Sequence, residues 1–76
     1  MNDREKLMKI LTETCPGVDF DKETALIDGG ILESLDIVTI VAEIMDVFSV
    51  ELNVDDLLPE HFNSVDAMLQ LIESRR

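Results

Sequence analysis

The run from Leu32 to Phe48 contains neither glycine nor proline and opens with residues that can cap a helix, so it reads as one uninterrupted helix. On a wheel of about 100° per residue, Asp36, Thr39, Glu43 and Asp46 fall in one narrow polar stripe. Ile37, Ile40, Val41, Ile44 and Phe48 recur at the i, i+3, i+4, i+7 spacing of a core-facing side. Leu35, Val38, Ala42 and Met45 form a second apolar side across the polar stripe, and Ser34 sits on the first turn where the two apolar sides meet. A helix in a small bundle needs one apolar stripe of roughly 100°, and this one carries about twice that width. The surplus face requires an explanation.

The chain has 76 residues, enough for one domain over 1–76 with one small core. With no Trp or Tyr and only three Phe, that core has to be aliphatic. Seventeen acidic residues against six basic ones give a net charge of −11, which disfavours nucleic acid or an anionic membrane as a partner. The same field favours partners with basic patches, although acidity also serves plain solubility. One cysteine, Cys15, excludes an internal disulfide and a cysteine-based metal site, and its place before Pro16-Gly17 suits a small buried residue. No apolar run is long enough to span a membrane and the first residues show no signal-peptide pattern, so a cytoplasmic protein is expected; separately, a monomer is expected.

Asn2 or Asp3 can cap a first helix that runs through Thr14 on Leu7, Ile10 and Leu11, and Pro16-Gly17 stops it. Val18 to Glu33 is a long connection whose apolar residues suggest that it lies across the helices. Gly29-Gly30 lets the backbone turn just before the central helix, but without a following lysine it is no phosphate-binding loop. Val50-Glu51-Leu52 reads as an extended connector that tucks Val50 and Leu52 inward. One short helical piece is expected within Asp55–Phe62, with Pro59 in its first turn. Asn63 or Ser64 caps a last helix on Val65, Met68, Leu69 and Ile72, and Arg75-Arg76 complements its negative end. The fold expected is all-α: a small irregular four-helix bundle of three main helices and one short one, with a long loop between helices 1 and 2.

The inventory for catalysis is poor. His61 is the only histidine and has no serine or cysteine near it in sequence, and the acidic pairs lack the EF-hand spacing. A non-catalytic protein without a metal site is expected. Ser34 has two readings from its residues alone. As an N-cap, its hydroxyl would accept from the third amide of the helix. As an attachment point, it lies between a flexible turn and a helix start whose free amides favour a phosphate.

The run Asp28-Gly29-Gly30-Ile31-Leu32-Glu33-Ser34-Leu35-Asp36-Ile37-Val38-Thr39-Ile40-Val41 resembles the phosphopantetheine attachment region of acyl carrier proteins, where an Asp-Ser-Leu or Asp-Ser-Met triplet opens the second helix. The resemblance extends to the long first loop, the Val50-Glu51-Leu52 connector and the segment Pro59–Val65, and so covers nearly the whole chain. It implies that Ser34 carries 4′-phosphopantetheine, delivered from coenzyme A by a phosphopantetheinyl transferase. The arm's thiol would hold an acyl or aminoacyl group as a thioester while the protein shuttles between partner enzymes with basic patches. Leu35, Val38, Ala42 and Met45 would then be the face that partners grip, with Asp36, Glu43 and Asp46 as rim charges. The interior beneath Ile37, Ile40 and Ile44, closed by Phe62 and the last helix, would shelter a chain.

Glu33 stands where the family usually has Asp, beside the serine that the transferase must recognise. Thr39 and Met45 occupy positions that are commonly acidic in the fatty-acid carriers, and Gly30–Leu35 also looks like the Gly-Leu-Leu-Asp-Ser-Met of D-alanyl carriers. Two other readings explain the surplus face without modification: a helical module that binds one partner permanently, and self-association through that face.

Overall fold

A computed structural model describes residues 2–76, all of whose regular elements are helical. They are α1 (Asp3–Thr14), α2 (Ser34–Phe48), a 3-10 turn at Val54–Asp56, α3 (Pro59–Phe62) and α4 (Val65–Arg75). This is the small helical bundle expected, with its long first loop.

Each boundary has a local cause. Asn2 caps α1, its side-chain oxygen accepting from the Glu5 N–H at 2.8 Å. The helix closes on the Cys15 N–H bond to the Leu11 carbonyl, and Gly17 takes φ +92 just beyond. Pro59 stands in the first turn of α3, where its missing N–H costs nothing. Ser64 caps α4 through its hydroxyl, which accepts from the Ala67 N–H at 3.1 Å.

The core gathers Leu7 and Leu11 from α1, Ile40 and Ile44 from α2, Phe62 from α3, and Met68 and Ile72 from α4. The first loop contributes Phe20, Leu26 and Leu32, so it is bound to the bundle by burial of its own side chains, as its pattern implies. Val50 is buried and Leu52 half-buried, matching the expected connector. In α4 the buried set includes Leu71, while Leu69, expected inside, is half-buried. This helix packs against both α1 and α3, which turns its buried stripe toward Leu71.

Arg75 and Arg76 do more than complement a helix end. Arg75 pairs with Asp56, the one buried charged residue among those described, and holds its carboxyl below the usual carboxylate range. Arg76 bonds both oxygens of Asp3 at 2.8 and 2.9 Å and lies 5.6 Å from the centre of the Phe48 ring. The start of α1 and the ends of α2 and α4 are thereby drawn to one corner.

Candidate functional site

The N-cap of α2 is Glu33, not Ser34. Glu33 has the extended backbone of a cap (φ −100, ψ 171), and the Asp36 carboxylate reaches back to accept from its N–H at 3.2 Å, half of a capping box. Of the two readings of Ser34, the N-cap is therefore the one corrected. Ser34 is the first helical residue, exposed, and its hydroxyl has no hydrogen-bond partner among the described residues. The cause is the acidic residue at 36, which can close the box only on the residue three before it.

Behind Ser34 the loop is tightly wound. The Leu26 carbonyl accepts from both the Ile31 and Leu32 N–H groups, at 3.0 and 2.9 Å. The Gly29 N–H bonds to the Ala25 carbonyl, and a Cβ on Gly29 would stand 2.6 Å from that oxygen, so no larger residue fits without a shift. Gly30 takes φ +74, a conformation that favours glycine. Leu32 is buried and anchors the chain two residues before the serine.

Leu35 is 80% exposed and Val38 61% exposed, and Ala42, Glu43 and Asp46 are exposed on the same helix. Met45 departs from this group: it is half-buried against the core, and its sulfur accepts from the Leu52 N–H at 3.5 Å. Asp36 is half-buried and committed to the cap. Cys15, at the end of α1, lies near this helix start. Burial pushes its thiol above its ordinary range, and the Asp36 and Glu33 carboxylates push the same way, which disfavours the thiolate.

Between the first loop and α3 lies a cleft of about 200 Å³ lined by Ile27, Ile37, Leu57, Leu58, Pro59 and Phe62. Ile37 and Phe62 belong to the apolar interior expected from the sequence, whereas Ile40 and Ile44 are closed inside the packed core. Val54, at 84%, and Leu58, at 44%, are further exposed apolar side chains after α2. The sequence pattern does not single them out, because no helical period connects them to the α2 face. Among the described residues no group of three His, Cys, Asp or Glu side chains is placed to hold a metal ion. No helix of the described residues is long and apolar enough to cross a membrane.

Compared with known families, residues 5–72 match the model described as the phosphopantetheine attachment site. No curated protein and no solved structure gives a significant match.

Proposed function

Because this chain belongs to the phosphopantetheine attachment-site family, and is thus a carrier protein bearing covalent 4′-phosphopantetheine, we propose that Ser34 is the residue that carries it. The observation that supports this most is the exposed, unbonded hydroxyl on the first turn of α2, inside the matched span. The first amides of a helix have no partner within it, so those of Ser34 and Leu35 are available to a phosphodiester on the adjacent oxygen. The half-positive end of the helix dipole favours the single negative charge of that ester. The residues therefore fit the group.

In the transfer, Ser34 Oγ forms a bond to the phosphorus that bears the pantetheine half of coenzyme A. The pyrophosphate P–O bond breaks, adenosine 3′,5′-bisphosphate leaves with that electron pair, and the serine proton passes to the transferase. The arm supplies a thiol for thioester chemistry, and in this reading the cargo is an acyl or aminoacyl group passed between biosynthetic enzymes. Leu35 and Val38, with Ala42 beside them, supply the apolar contact for those enzymes. Glu43 and Asp46 form its acidic rim, which raises encounter rate and fixes orientation more than it adds affinity. Met45 contributes through its support of Leu52 rather than by open contact.

The test is peptide mapping of the unmodified protein after incubation with coenzyme A and a broad-specificity phosphopantetheinyl transferase. One added arm on the peptide containing Ser34 is the expected result. An arm on any other residue, or none, would overturn the assignment.

A further inference from the structure

Asn63, the last residue before the Ser64 cap, lies far from Ser34 in sequence yet holds the loop that leads to it. Its backbone carbonyl accepts from the Leu26 N–H at 2.9 Å. Its side-chain oxygen accepts from two consecutive amides, Ile27 N–H and Asp28 N–H, each at 3.0 Å. Its side-chain nitrogen donates to Asp28 Oδ2, also at 3.0 Å. Only a carboxamide offers an acceptor and a donor on one short, flat group, so serine, aspartate or alanine cannot make all three side-chain bonds at this place.

The clamp sits at the root of the loop. Leu26, held by Asn63 on its N–H, uses its carbonyl to hold the amides of Ile31 and Leu32. Ile27 and Asp28, held on theirs, precede the Gly29-Gly30 turn. From Leu32 it is two residues to Ser34, whose side chain is exposed and has no hydrogen-bond partner among the described residues. Exposed glycines would let this segment sample many conformations, and only one of them presents the hydroxyl, the helix start and the loop together. A transferase that engages only that arrangement binds with an apparent affinity scaled by the fraction of molecules that hold it.

We propose that Asn63 is a positioning residue for modification at Ser34: it fixes residues 26–32 against the α3–α4 corner so that the transferase meets the loop and the serine in one preset geometry. This rests on the assignment of Ser34 as the attachment residue. The clamp also makes a prediction about charge. Asn63→Asp keeps the acceptor for both amides but sets a carboxylate against Asp28. Asp28→Asn alone keeps the clamp, because the new carboxamide still offers an oxygen to the Asn63 nitrogen. The double variant reverses the polarity of the side-chain pair: the carboxylate introduced at position 63 accepts from both amides and from the carboxamide nitrogen introduced at position 28.

The experiment is transferase kinetics on the wild type and the three variants, with coenzyme A as donor, alongside amide hydrogen exchange at positions 27, 28, 31 and 32. Relative to the wild type, Asn63→Asp is expected to lower kcat/KM by about tenfold through KM, the consequence of reducing the competent population to about a tenth. Exchange at the four amides should rise with it. Asp28→Asn sets the baseline for loss of the loop charge, and adding Asn63→Asp to it should leave both kinetics and exchange at that baseline. Equal kinetics for the wild type and Asn63→Asp, or a double variant no better than Asn63→Asp, would overturn the inference. If the wild type accepts no arm at Ser34, the assignment of the serine fails, and the exchange data still decide the clamp: unchanged amides in Asn63→Asp would refute it independently.

Discussion

Two serines open two helices of this protein in nearly the same local sequence, Glu33-Ser34-Leu35-Asp36 and Asn63-Ser64-Val65-Asp66, and they do opposite things. Ser64 is extended at φ −148 and ψ 161, half-buried, and its hydroxyl accepts from the Ala67 N–H. Ser34 is already helical, exposed and unbonded among the described residues, because the cap lies one residue earlier and Asp36 closes on Glu33. In the α4 start, Asp66 is turned outward to Arg4, at 2.7 Å, and leaves the capping to the serine. A shift of one residue in the capping frame decides whether a hydroxyl is structural or available. The apolar residue that follows obeys the same division: Val65 is buried and Leu35 is exposed.

The two helix starts should differ most at the residues next to each serine. Leu35→Glu and Val38→Glu should cut turnover by partner enzymes about a hundredfold, the effect of losing roughly 2–3 kcal/mol at an interface centre. Their thermal midpoints should stay near that of the wild type, since both side chains are exposed. Val65→Glu should fail to fold, because it buries an unpaired charge; circular dichroism separates the cases. Gly29→Ala probes the turn that only the Ser34 start possesses. Its Cβ would meet the Ala25 carbonyl at 2.6 Å, so a loss of about 1–3 kcal/mol is expected in denaturant unfolding. Ser64→Ala should cost about 1 kcal/mol, the usual loss of a cap. Ser34→Ala is the smallest, within about 0.5 kcal/mol, since no bond is lost.

Much of this is legible in the sequence. The period of α2, the stop at Pro16-Gly17 and Pro59 in a first turn are local signals, and the helices follow them. The surplus apolar face of α2 is readable because Leu35, Val38 and Ala42 share one side of the wheel. Met45 shares that side too, yet it is drawn inward by the connector at Leu52, a contact that helical spacing does not encode. The capping frame at Ser34 escapes a reading of the residues because Glu33 and Ser34 both suit a helix start, and the choice depends on which backbone amide Asp36 reaches. The clamp at Asn63 and the pairing of buried Asp56 with exposed Arg75 are invisible there for a different reason. Both join residues far apart in the chain, and no local pattern distinguishes Asn63 from any other residue beside a cap.

We propose that relief from capping is what leaves Ser34, and not Ser64, available for modification. The most direct test is the intact mass of Ser34→Ala and Ser64→Ala, each shown to be folded and unmodified, after exposure to coenzyme A and a phosphopantetheinyl transferase. One phosphopantetheine arm on Ser64→Ala and none on Ser34→Ala is the expected result. An arm on Ser34→Ala, or none on folded Ser64→Ala, would contradict the proposal.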